Sequence, residues 1–201
     1  MSRSIAIVLF DDVEVLDACG PFEVFSVANR VADRAGSARP FEVSLVGIDD
    51  RPVVARGGMR IGVDTTIDDP RAYDVVVIPG GVIDAVEKNA RVLEWLQRTR
   101  PGAELVASVC TGAFVLAAAG LLDTRPVTTH WEDLEQLSAR WPALVVHEAV
   151  RYIDHGDLAT SAGISAGLDL ALHLVARWAG ADHALATASQ MDYDWSGAEH
   201  P

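Results

Sequence analysis

Cysteine is nearly missing from this chain: Cys19 and Cys110 are the two thiols among 201 residues, and they stand far apart. Repeated pairs that could build a disulfide framework are therefore absent, and a reducing cytoplasm is the expected compartment. Basic residues are also scarce, with 16 Lys and Arg against 29 Asp and Glu and a formal net charge of −13. Such a surface repels the phosphate backbone of nucleic acid and the headgroups of anionic lipid, so neither is expected as a partner. A small neutral or cationic molecule suits it better. His130, His147, His155, His173, His183 and His200 show neither HExxH nor paired Cys/His spacing, so no metal site is expected. A Walker loop and GxGxxG are missing too. The apolar run Ile5 to Phe10 ends at Asp11 and Asp12, too short for a signal peptide. With no internal repeat, low-complexity tract or linker, the reading is one domain over 1–195 and a short polar tail over 196–201.

Half the residues are hydrophobic, enough for one substantial core. "LVASVCTGAFVLAAAGLL" runs from Leu105 to Leu122 without a charge, which approaches membrane-spanning length, but two secondary-structure signals meet inside it. Glu104 to Ser108 suits a buried strand, and Ala113 to Ala119 suits a helix ended by Gly120. A strand-to-helix turn carrying Cys110 is the expectation.

The rest of the chain alternates in the same way. "SIAIVLF" reads as a strand covered on both faces, and "GPFEVFSVANRV" as a helix with Pro21 in its first turn. "FEVSLVG" is a second strand, "VVARGGMRIGV" a hairpin turning at Gly57-Gly58, and "YDVVVIPGG" a third buried strand. "VIDAVEKNARVLEWLQRT" has helical spacing, "PVTTH" follows the cysteine segment as a strand, and "WEDLEQLSARW" is amphipathic. "VRYIDHGDLATSA" reads as a hairpin turning at His155-Gly156 before the helix "GLDLALHLVARWAG". The pattern predicts an α/β domain with a mainly parallel sheet sandwiched between helices.

In an open parallel sheet, ligands gather beyond the carboxyl ends of the strands. Three features fall there: "VLDACGP", "IPGG" and "SVCTG". A thiol at a helix N-terminus meets the positive end of the dipole, which favours thiolate and makes Cys110 a candidate nucleophile, with Gly112 letting the backbone bend. The other reading of Cys110 is a small buried hydrophobe. Asp17 is either an ordinary acid at a helix start or, if it abuts Cys110, a protonated carboxyl acting as general acid. Gly80, Gly81 and Thr111 would offer backbone N–H groups to developing charge, although a glycine pair alone marks a turn. His130 is a third candidate at the end of the next strand, or a structural histidine. Cys19 is assigned to packing.

"IAIVLFDDVEVLDACGPFEVF", "VVVIPGG", "ASVCTGAFVLAAAGLLDTRPVTTHW" and "LATSAGISAGLDLALHLV" together resemble the ThiJ/PfpI superfamily over nearly the whole chain. The resemblance implies a flavodoxin-like, class I glutamine amidotransferase-like fold with a nucleophile elbow. Within that superfamily the motifs are most similar to isocyanide hydratase. By that resemblance Cys110 is the nucleophile, Asp17 the acid/base, Thr111 and Gly81 their neighbours, no cofactor is required, and the molecule is a homodimer. Peptidase and glyoxalase members carry histidine directly after the cysteine. Thr111 stands there in this chain, which weakens both of those readings. The implied reaction is thiolate addition to the isocyanide carbon, protonation by Asp17, then addition of water to release an N-substituted formamide. The motifs also resemble sensor domains of AraC-type regulators; the acidic chain, ending at Pro201, is expected to carry no DNA-binding region. A stand-alone small-molecule or redox sensor in which Cys110 oxidises is the alternative, with an amidase built on His130 and Glu132 a third.

Overall fold

The computed structural model describes residues 2–197; His200 and residues 198–201 of the tail lie outside the described residues. The first strand, β1 (Arg3–Leu9), has Ile5 to Leu9 all at 0% exposure, as a central parallel strand covered on both faces demands. Helix α1 (Val15–Arg34) returns the chain to β2 (Phe41–Gly47), which lies parallel to β1 with Ile5 opposite Val43. Strands β3 (Val53–Val54) and β4 (Arg60–Ile61) form a small antiparallel hairpin apart from the main sheet, its turn made possible by Gly57 and Gly58 at φ 83° and 91°. Strand β5 (Thr65–Thr66) then pairs with the end of β2.

The chain next crosses to the other side of β1. Strand β6 (Val75–Ile78) pairs with β1; helix α2 (Ala90–Thr99) leads to β7 (Leu105–Val109), which pairs with β6 and runs directly into helix α3 (Gly112–Ala118). Strand β8 (Pro126–Val127), helix α4 (Leu134–Arg140) and strand β9 (Val145–Val146) follow, with β8 and β9 paired to each other. Strands β10 (Tyr152–Asp154) and β11 (Leu158–Ser161) complete the main sheet before helices α5 (Ala166–Ala179) and α6 (Ala181–Gln190).

The seven-stranded order is β10-β11-β7-β6-β1-β2-β5, and β10 is its single antiparallel member. Helices α1, α5 and α6 pack on one another, and α2 contacts α3. The expected α/β sheet flanked by helices is therefore present. Strands extend in both directions from β1, so a crevice opens between the carboxyl ends of β1 and β6, and the turns after β1, β6 and β7 meet there.

Three local expectations are corrected. Helix α1 begins at Val15, so Pro21 lies inside it rather than in its first turn, where it cannot donate to the Asp17 carbonyl four residues back. The helix expected from Val82 onward starts only at Ala90, because the Asn89 side chain caps it by accepting the N–H groups of Arg91 (3.0 Å) and Val92 (3.4 Å). A single 3-10 turn, Val86–Lys88, precedes that cap. "PVTTH" contributes only the two residues of β8, which pair outside the main sheet. Among the described residues, no helix is long and apolar enough to cross a membrane; the uncharged run from Leu105 is split into β7 and α3.

Candidate active site

Cys110 occupies, with Thr111, the two-residue joint between β7 and α3, and itself lies in the left-handed region at φ 57°. A non-glycine residue held there is strained by roughly 1–3 kcal/mol and persists only when its surroundings fix it. Its N–H points back to the carbonyls of Ser161 (3.2 Å) and Ala162 (3.3 Å), and its carbonyl accepts the Thr129 hydroxyl at 2.8 Å. The bend expected of Gly112 thus belongs to Cys110 itself. Gly112 serves close packing: a Cβ there would collide with the Ile78 carbonyl at the end of β6.

Asp17, on the first turn of α1, is fully buried beside this thiol. Its Oδ2 accepts the Gly80 N–H at 3.0 Å. Its Oδ1, also buried, has no hydrogen-bond partner of good geometry among the described residues, the thiol included. Thr111 ties the glycine turn to the cysteine turn twice over: its hydroxyl donates to the Gly81 carbonyl (3.0 Å) and accepts the Gly81 N–H (2.9 Å). Gly81 adopts φ 134° against the backbone of Asp12 to Glu14, where no side chain would fit. The Gly80 and Gly81 N–H groups, expected at the thiolate, are therefore engaged by Asp17 and Thr111. The N–H groups that do stabilise the sulfur belong to Thr111 and Ile164.

The electrostatics depart from the expected acidified thiol. Cys110 is pushed up to about 12, first by burial and then by the Asp17 charge, against the opposing Thr111 and Ile164 N–H groups. Asp17 is raised to about 7, chiefly by burial, with the Gly80 N–H and the thiol lowering it and the Glu14 charge adding to the rise. A seven-residue helix aimed at a thiol with 6% exposure does not offset the cost of removing charge from water. The two groups titrate as a pair, which sheds its first proton near 7 and resists losing the second. Above neutrality, one negative charge and one proton are shared between sulfur and carboxyl.

His130 makes its contacts away from the pair. Its ring packs against Gly163, where a Cβ would collide with it, while Nδ1 accepts the Glu132 N–H at 3.4 Å and stands 3.4 Å from the Asp133 carboxylate. Gly163 immediately precedes Ile164, so His130 backs the wall of the site. Ile164 itself went unnoticed in the sequence: it holds φ 48°, unusual for a β-branched residue, and presents its N–H to Cys110. Cys19 is half-buried, and its thiol is raised by burial alone. Among the described residues, no group of three or more His, Cys, Asp or Glu side chains is arranged to hold a metal ion.

Comparison with known proteins identifies the family. An isonitrile hydratase of Pseudomonas putida is 34% identical over 194 residues, covering 96% of this chain and 79% of its own. The HTH-type transcriptional regulator GbdR of Pseudomonas aeruginosa is 28% identical over 192 residues, and the match spans 51% of that longer protein. A ThiJ/PfpI family protein from Pseudomonas syringae superposes with a TM-score of 0.84 at 26% identity, covering 98% of this chain and 78% of that one. The DJ-1/PfpI family model matches residues 3–177, a span that contains Asp17, Gly80, Gly81, Cys110, Thr111 and Ile164; the chain belongs to the DJ-1/PfpI family.

Proposed function

We propose that the Cys110–Asp17 pair hydrates an isocyanide to an N-substituted formamide. The observation that carries this reading is the enclosure of the pair, with Cys110 at 6% exposure and Asp17 at 0%. An isocyanide presents its reactive carbon at the end of a linear group and can reach a nearly covered sulfur, whereas an ester or amide carbonyl is flanked by substituents on both sides. The hydratase relative supports the same chemistry.

The sequence of steps follows from the shared proton. In the reactive form of the pair the proton has moved from sulfur to Asp17, and the charge on sulfur is stabilised by the Thr111 and Ile164 N–H groups. Sulfur adds to the terminal carbon, and Asp17 delivers its proton to that same carbon, giving a thioimidate. Asp17, now a carboxylate, takes one proton from water as the water oxygen adds to the carbon and passes it to the nitrogen; it then takes the proton of the new hydroxyl as the C=O bond forms, the C–S bond breaks and the formamide leaves. The thiolate is regenerated, and atoms and charge balance without a cofactor.

Leu16, Val82, Trp131 and Ile164 are exposed apolar side chains, which supports a homodimer that buries part of this surface. A reducing cytoplasm remains the proposed compartment, in keeping with two unpaired thiols. The regulator relative favours one other reading, a sensor whose Cys110 is oxidised and does not turn over. Formamide production from cyclohexyl isocyanide tests the proposal: Cys110→Ala should abolish it, and Asp17→Asn should slow it by the roughly 10²–10⁴-fold typical of a lost general acid. Unchanged rates in either variant would refute the assigned roles.

A further inference from the structure

The β3–β4 hairpin makes contacts that neither the sheet nor the reaction requires. Its first strand accepts the Asp12 N–H on the Val54 carbonyl (2.8 Å), and the Arg56 N–H donates to the Val13 carbonyl (2.9 Å). The Ala55 N–H bonds to the Met59 carbonyl at 2.7 Å, so the loop carrying Arg56 is closed on itself and docked on the segment that enters α1. This docking holds the Arg56 guanidinium 3.6 Å from the Glu14 carboxylate. Glu14 is the N-cap residue of α1; its carbonyl accepts the Asp17 N–H at 3.1 Å, and its own N–H donates to the Gly80 carbonyl at 2.9 Å. Glu14 is thus locked, through backbone bonds, to both ends of the Asp17 hydrogen-bonding cradle.

We propose that Glu14 and Arg56 form a tuning pair for the site: a carboxylate one helical turn from Asp17 opposes its ionisation, and a guanidinium delivered by the hairpin sets how strongly. The proposal rests on the reading of Asp17 as the acid. The charged or titratable groups that act on Asp17 are Cys110 from the β7–α3 joint and Glu14 from its own helix start, with the Gly80 N–H from the turn after β6. Arg56 is the cation paired with Glu14; the nearby Arg51 on the approach to the hairpin is taken by Asp11 at 2.6 Å. Glu14 has 22% of its side chain exposed and Arg56 62%, so the pair is open to solvent on one side while Asp17 is not. That arrangement lets an exposed hairpin adjust a buried acid without touching it. It also makes the adjustment sensitive to ionic strength.

The test is the pH dependence of Cys110 alkylation by iodoacetamide, which reads the titration of the pair without requiring turnover. Glu14→Gln should lower the midpoint, and Arg56→Gln should raise it by exposing Asp17 to an uncompensated Glu14, each on the order of half a pH unit at low salt. Arg56→Lys should restore the wild-type midpoint, and about 1 M salt should shrink both shifts. Shifts of the same sign, or midpoints that do not move in folded variants, would overturn the proposal. Asp17→Asn separates the two levels: an inflection that survives it defeats Asp17 as the titrating acid and the tuning pair with it. An inflection lost in Asp17→Asn but unmoved by Glu14→Gln and Arg56→Gln defeats only the tuning pair.

Discussion

The Thr129 hydroxyl donates to the Cys110 carbonyl at 2.8 Å and pins the strained residue at the β7–α3 joint. Thr129 is 1% exposed, so replacing the hydroxyl by a methyl leaves a buried carbonyl with only the long Ala113 N–H at 3.4 Å. Thr129→Val should cost about 1–3 kcal/mol. For a chain of this size that lowers Tm by several degrees, and Thr129→Ser should recover most of the loss. Calorimetry on the three proteins decides it; equal Tm values would mean that the hydroxyl does not hold the joint.

Asp17 gives a stability signature with a definite sign. Its folded-state value of about 7 lies above the ordinary 3.8, so folding favours the protonated carboxyl. The contribution is complete below about 4 and is lost as pH rises to about 7, because the unfolded chain ionises while the folded one resists. Integrated over that window, the effect is on the order of 4 kcal/mol. Asp11, Asp33, Asp154 and Asp157, held below the usual range by their partners, act in the opposite direction. The informative quantity is therefore the difference between proteins: Asp17→Asn should gain on wild type steadily from pH 4 to pH 7 in urea titrations. A constant difference across that range would contradict a raised Asp17.

The two cysteines should differ in the same respect. Alkylation of Cys110 should inflect near pH 7, where the pair loses its first proton, whereas Cys19 should show no inflection there and rise only at alkaline pH. Mass-spectrometric mapping after brief exposure separates them. Identical profiles would mean that Cys110 is not coupled to Asp17.

Arg151 anchors the turn that carries Ile164. Its Nε donates to Asp169 at 2.6 Å, another nitrogen of its guanidinium donates to the Ser165 hydroxyl at 3.2 Å, and Tyr193 donates to the same Asp169 at 3.0 Å. Arg151→Met should free the Ser165 side of the turn and weaken the Ile164 N–H contact with sulfur, slowing Cys110 alkylation at pH 8 by about tenfold, as loss of one hydrogen bond to a charged group would. An unaltered rate would show that the turn keeps its shape without the clamp.

Continuous apolar runs made β1, β6 and β7 legible, because a strand buried on both faces has no room for polar alternation. The motifs at their carboxyl ends point to Asp17, Gly80, Gly81, Cys110 and Thr111, which the fold brings together. Ile164 was not legible: a β-branched residue is the last choice for a left-handed position, and only the surrounding turn imposes it. Helix α6 was missed because its buried face is Ala184, Thr187 and Ala188, small residues that pack closely yet give little hydrophobic periodicity. The direction of the Cys110 shift was misread for a related reason. A helix terminus is visible in sequence, while the depth of burial that outweighs it depends on three separated turns meeting.

The central claim is turnover at Cys110, and the measurement that tests it most directly is formamide produced per chain. Incubated with excess cyclohexyl isocyanide and followed by NMR, the protein should release many equivalents of N-cyclohexylformamide, and Cys110 should be recovered as an unmodified thiol, since each cycle returns the sulfur to its starting state. One equivalent or less, with peroxide converting Cys110 cleanly to sulfinate in the same preparation, would contradict the hydratase account and favour the sensor.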